Sequence, residues 1–145
     1  MGAVAAPCPA AMPVAGEYSS GFGGRRGHPG VDIRAPVGSR VQTVLPGTVI
    51  FAGRYFGYGM MVDIAHEDGT TSRYAHLARF APGITTGARV DALQAIGAVG
   101  RTGRTTGAHL HIELRRNGRP VDPWPWLTRT ACTGATEVAE APPAR

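Results

Sequence analysis

Between residues 40 and 114 the hydrophobic positions come in short runs broken by turn-forming residues, without the rhythm of a long amphipathic helix. Residues 40–45 (RVQTVL) and 47–53 (GTVIFAG) are rich in β-branched side chains and meet at Pro46-Gly47, a turn signal. Residues 60–66 (MMVDIAH) stop at Glu67-Asp68-Gly69, and residues 70–77 (TTSRYAHL) return from it. An Asp-Gly pair between two such runs predicts a hairpin. A last run, 108–114 (AHLHIEL), ends before Asn117-Gly118. Residues 92–98 read as a turn or so of helix. Short strands with frequent turns predict an all-β fold of mainly antiparallel sheets with long loops and at most a short helix.

Composition refines the organisation. The chain has 145 residues, with 21 Gly and 12 Pro. All Gly except Gly2, Gly16 and Gly134 fall between residues 17 and 127, where they punctuate strands. The expected division is a flexible segment 1–16, one folded domain 17–127 and a flexible tail 128–145. Trp124 and Trp126 are read as a hydrophobic lid closing the domain after its last strand.

Charge narrows the partners. The 15 basic residues are all Arg and face 10 acids, for a net charge of +5 and an isoelectric point near 10.0. The Arg residues occur in singles and pairs without interleaved aromatics, which describes a solvated surface and not a nucleic-acid face. No run of 18 apolar residues exists, so no helical membrane span is expected. The opening MGAVAAPCPAAMPVAG lacks a basic region and is broken by prolines, so it does not read as a secretory signal. Cys8 and Cys132 lie near opposite ends. They form either one bridge, worth ~4–5 kcal/mol by chain entropy, or two free thiols.

The histidines carry the chemistry. His28-Pro29-Gly30-Val31-Asp32 is an HxxxD in which Pro and Gly forbid a helix, so a bend into a strand must bring His28 and Asp32 together. His109-Leu110-His111 alternates on a strand, which sends both imidazoles to one face and Leu110 and Ile112 to the core. Imidazole with carboxylate suits zinc, and a catalytic zinc keeps three protein ligands. Four His and one Asp exceed that need, and hydrolysis also requires a proton acceptor and an oxyanion stabiliser.

HxxxD, YAHL and HLHIE in this order make the chain resemble the lysostaphin-type (LytM-like) zinc metallopeptidases that cut peptidoglycan peptides. The resemblance runs from about Tyr18 to Leu127 and includes GHPGVDIRAP, GYGMMVDIAHEDGTTSRYAHL, TGRTTGAHLHIEL and VDPWPWL. It implies the lysostaphin-type, duplicated-hybrid-motif fold, with residues 17–127 as the metallopeptidase domain. It implies His28, Asp32 and His111 as ligands of one zinc, and His76 and His109 as unligated catalytic imidazoles. One of these two takes the water proton while the other serves the oxyanion or the leaving amine, in either order. A bacterial peptidoglycan peptide is the implied partner, with the chain acting as a monomer, extracellular or periplasmic at the cell wall. Degenerate relatives that activate amidases lose some of these five residues, and all five are present here. Either an export signal lies outside this sequence, or the protein reaches the wall by another route, as a phage-borne lysin does.

Several neighbouring residues have plainer readings. His66 is expected to be a partly buried His satisfied by backbone. Glu113, two residues past His111, either orients an imidazole or pairs with an Arg such as Arg34. Tyr58 either reaches substrate from a mobile loop or is a simple turn residue. TGRTTG has no Lys and no phosphate-loop spacing, so it reads as the loop presenting HLHIE.

Overall fold

In the computed structural model, residues 12–133 are described. The strands are β1 (Glu17–Ser20), β2 (Val31–Arg34), β3 (Arg40–Gln42), β4 (Gly47–Arg54), β5 (Met60–Ala65), β6 (Thr70–Phe80), β7 (Arg89–Val90), β8 (Ala95–Val99), β9 (His109–Arg116) and β10 (Arg119–Val121). One helix follows, α1 (Trp124–Thr133). The strands form an antiparallel sheet in the order β1-β2-β9-β6-β5-β4-β7, with β10 added to β9 and β8 bridging β6 and β3. The expected all-β antiparallel architecture with one short helix is what forms. No helix among the described residues is long and apolar enough to cross a membrane.

One face of the central strands is the core. Val31 and Ile33 of β2, Leu110 and Ile112 of β9, Tyr74 of β6 and Val62 and Ile64 of β5 are all buried there. Each such aliphatic side chain contributes about 1.5–3 kcal/mol by leaving water. The alternate positions Asp32, His111, Glu113 and Arg73 therefore share the opposite face, and register aligns them: Asp32 lies across from His111, and Glu113 across from Arg73.

Four local expectations change. Residues 92–98 give no helix: Ile96 and Val99 are fully buried, and Ala95–Val99 pairs with β3 and β6, so tertiary pairing overrides weak local preference. The runs on either side of Pro46-Gly47 are not partners, because β3 pairs with β8 and β4 with β5 and β7. Residues 12–14, grouped by composition with the flexible start, are packed: Met12 and Val14 join the core, and the Gln42 side-chain amide donates to the Met12 carbonyl at 2.9 Å. The boundary expected at 127 falls inside α1, whose start is held by Trp124 N donating to Asp122 Oδ1 at 3.0 Å. Trp126 and Leu127 are buried, so the lid is a helix. Cys8 lies outside the described residues, and the question of its pairing with Cys132 lies there too.

Candidate metal centre and its neighbouring histidines

The 21–30 segment folds back on itself before β2, with Gly23 and His28 exchanging backbone hydrogen bonds of 2.7 and 3.0 Å. The bend brings His28 Nε2 to 3.4 Å from Asp32 Oδ2. Gly30 permits the approach. A Cβ there would sit 2.3 Å from the Ile112 carbonyl oxygen and 3.1 Å from His111 Cε1, so no side chain fits between β2 and β9 at this point. From β9, His111 Nδ1 reaches Asp32 Oδ1 at 2.8 Å, and His109 Nε2 lies 3.6 Å from the same oxygen.

His28, Asp32 and His111 each offer one ligand atom, and these atoms all lie within 4.8 Å of one another. Two imidazole nitrogens and one carboxylate oxygen at this spacing fit zinc. The carboxylates and imidazoles of the cluster shift one another's titration. Burial pushes the Asp32 carboxyl up, but the hydrogen bond from His111 and the charges of three imidazoles outweigh it, and its pKa is lowered. Burial pushes His111 down, but its bonds to Asp32 and Glu113 win and raise it to about 9.

His76 reaches this face by a departure from strand geometry. Strict alternation along β6 would send it to the core side with Tyr74. Instead one extra residue is inserted: Val62 faces Tyr74, yet Met60 faces Leu77. His76 takes a left-handed backbone (φ 61°), and this bulge turns its ring to 5.0 Å from the His109 ring, centroid to centroid. Burial, followed by the neighbouring His109 and His111, pushes the His76 pKa down.

Backbone carbonyls set the protonation of three rings. A carbonyl only accepts, so each nitrogen facing one carries the proton. His28 Nδ1 donates to Gly21 O at 2.7 Å, His76 Nδ1 to Thr102 O at 2.8 Å and His109 Nδ1 to Gly107 O at 3.0 Å. Each therefore has an Nε2 lone pair left for the site. Thr102 is fixed in turn, its hydroxyl donating to Leu77 O at 2.7 Å and accepting from Met60 N at 3.0 Å. Sequence reasoning passed over Thr102, and the TGRTTG stretch beside HLHIE was the signal available.

Glu113 is fully buried behind His111. Its Oε2 accepts from His111 Nε2 at 2.8 Å and from the Tyr58 hydroxyl at 2.7 Å, and its Oε1 accepts from Arg115. Of the two readings of Glu113, the imidazole contact forms, and the Arg partners are Arg115 and Arg73. Arg34 pairs with Glu17 instead. Tyr58 is neither a bare turn residue nor a free substrate arm, because its hydroxyl is committed to Glu113. Its ring lies under Arg73, which is clamped to Asp63 by bonds of 2.9 and 3.0 Å. Arg73 was not singled out in the sequence, since a single Arg on a strand carries no motif. His66 is satisfied as expected, by Pro46 O at 2.9 Å and the Ser72 hydroxyl at 2.8 Å, away from the site. A groove of about 950 Å³, lined in part by Ser19, Arg34 and Thr106, opens beside Asp32 and His109.

Known proteins resemble this chain in sequence and in fold. The family described as peptidase family M23 matches residues 26–123. Over 98 residues the chain is 47% identical to the DD-carboxypeptidase/endopeptidase Mpg of Neisseria meningitidis serogroup B, covering 66% of this chain and 22% of that protein. Over 121 residues it is 33% identical to the murein hydrolase activator EnvC of Escherichia coli, covering 83% and 28%. The chain thus spans about a quarter of the length of these curated relatives. Among solved structures, the catalytic domain of lysostaphin from Staphylococcus simulans aligns with a TM-score of 0.71 at 30% identity, over 77% of this chain and 92% of that one. A zinc containing peptidase from Vibrio cholerae aligns with a TM-score of 0.62 at 31% identity, over 75% and 35%. The matched stretch holds the four clustered imidazoles and Asp32, and the chain belongs to peptidase family M23.

Proposed function

We propose that the chain is a zinc-dependent endopeptidase that hydrolyses peptide bonds in the stem peptides or cross-bridges of bacterial peptidoglycan, outside the cytoplasmic membrane. One observation carries the reading. Beyond the three ligand side chains, two further imidazoles, His76 and His109, stand at the same centre with bare Nε2 atoms.

His28, Asp32 and His111 would hold the ion and leave a fourth position open, as catalytic zinc sites do. When bound, zinc supplies Lewis-acid polarisation of the scissile carbonyl and makes a water molecule more acidic. The chain's own imidazoles handle the protons. Two bare Nε2 acceptors, on rings 5.0 Å apart, can take the two O–H groups of one attacking water and aim its lone pair at the carbonyl carbon. His109 lies nearer the ligands, with Nε2 3.6 Å from Asp32 Oδ1, and is assigned the transferred proton. His76, kept uncharged by burial, orients the water through the other hydrogen. As the C–N bond breaks, His109 returns the proton to the leaving amine, so the balance closes with one carboxylic acid and one amine formed.

The relatives named as a DD-carboxypeptidase/endopeptidase and as a zinc containing peptidase support this reading. A second reading follows from EnvC, whose name is that of an activator. It predicts a chain that binds the wall or an amidase without cutting, and the filled five-residue set favours catalysis over it. Mass spectrometry of fragments released from purified peptidoglycan decides. Peptide-bond cleavage that stops with a chelator supports the peptidase, whereas binding with no new amine termini supports the module. The same spectra identify the bond cut.

A further inference from the structure

We infer that Glu113 is a positioning residue that fixes the ring of His111, so that Nδ1 and not Nε2 is presented to the metal. The inference rests on the metal reading above and deepens it.

The four clustered imidazoles are held in two different ways. His28, His76 and His109 each give Nδ1–H to a backbone carbonyl and present Nε2 to the site. His111 is reversed: Nδ1 faces Asp32 at 2.8 Å, and Nε2 meets the Glu113 carboxylate at 2.8 Å. A proton on Nε2 satisfies that carboxylate, and a cation held by His111 and Asp32 would replace the proton that Nδ1 gives to Asp32, leaving Nδ1 as the ligating nitrogen. Carboxylate acceptors behind metal-bound imidazoles fix the tautomer and raise the basicity of the ligating nitrogen.

Glu113 is built for this task and little else. It is 0% exposed, and its two oxygens accept from His111, Tyr58 and Arg115. A buried ion network is a poor way to stabilise a fold, because an apolar side chain of similar size commonly does as well. Its anchors come from three places: Tyr58 between β4 and β5, Arg73 of β6 at 3.8 Å, and Arg115 of β9. These contacts determine the position of both carboxylate oxygens, so the oxygen facing His111 has no freedom to turn away.

The decisive experiment is nitrogen-15 NMR of the imidazoles in the zinc-loaded full chain, alongside zinc titration against a chromogenic chelator. The expected spectrum has His111 protonated on Nε2 with Nδ1 bare, and His28, His76 and His109 protonated on Nδ1. In the titration, Glu113→Ala weakens zinc about 10–100-fold. Glu113→Gln, whose amide oxygen still accepts from Nε2, recovers most of that loss, and Tyr58→Phe gives a smaller loss. The NMR of the parent stands even if Glu113→Ala fails to fold. A zinc-loaded parent with His111 protonated on Nδ1, or a folded Glu113→Ala chain binding zinc as tightly as the parent, overturns this inference alone. A parent that binds no zinc overturns the metal reading and this inference with it.

Discussion

The ring of His76 stands 5.0 Å from that of His109 only because the backbone at His76 is left-handed, at φ 61°. A non-Gly residue in this region costs about 1–2 kcal/mol. The bulge therefore stores strain where two imidazoles must meet, as functional sites commonly do. Of two variants that both remove the imidazole, His76→Gly should unfold at a higher temperature than His76→Ala, by about 1 kcal/mol or roughly 4 °C. Calorimetry of the pair checks this, and equal midpoints would mean that the backbone there is not strained.

Gly30 holds the other critical approach. Its Cβ would lie 2.3 Å from the Ile112 carbonyl oxygen, against backbone that has no room to move without shifting the Asp32–His111 register. Gly30→Ala should destabilise the chain by about 1–3 kcal/mol and weaken zinc binding at the same time. Thermal melts with and without zinc separate the two effects. Unchanged zinc affinity would show that the β2–β9 spacing does not set the site.

Hydrolysis should be limited on the acid side by His76. Its pKa lies below the ordinary 6.5, chiefly through burial. The uncharged form thus persists at neutral pH, and activity should fall only as the medium becomes more acidic than about 6.5. A pH–rate profile of the zinc-saturated chain tests the sign. Activity that climbs as pH drops from 7 to 5 would contradict the role given to this imidazole.

His66 gives stability a separate pH dependence. Burial lowers its pKa below 6.5 in the folded chain. The unfolded chain then binds the proton more readily, so this contribution is present above about pH 6.5 and is lost as pH falls through that value. His66→Gln should flatten the loss of thermal stability between pH 7 and 5 without changing zinc affinity. If the parent's midpoint is constant over that range, His66 is not buried as a neutral ring.

Much of the site was legible because period-two geometry is local. His109-Leu110-His111 splits on a strand into two imidazoles on one face and a core Leu on the other, and Leu110 is fully buried. Pro29 and Gly30 required the bend that joins His28 to Asp32. The rest depended on non-local pairing. The bulge at His76 is set by its β5 partner, and YAHL read by alternation alone would bury His76 beside Tyr74. Residues 95–99 became a strand only because β3 and β6 lie on either side. The Tyr58–Glu113–Arg73 group joins residues up to 55 positions apart, which no motif spacing encodes.

The most direct test of the account measures zinc content and peptidoglycan cleavage together in the parent chain and in His109→Ala. The parent should bind about one zinc per chain and release peptide fragments. His109→Ala should keep its zinc and lose cleavage by about 10²–10⁴-fold. A zinc-loaded, folded parent that leaves peptidoglycan uncut, or a His109→Ala chain that cuts at the parental rate, would contradict it.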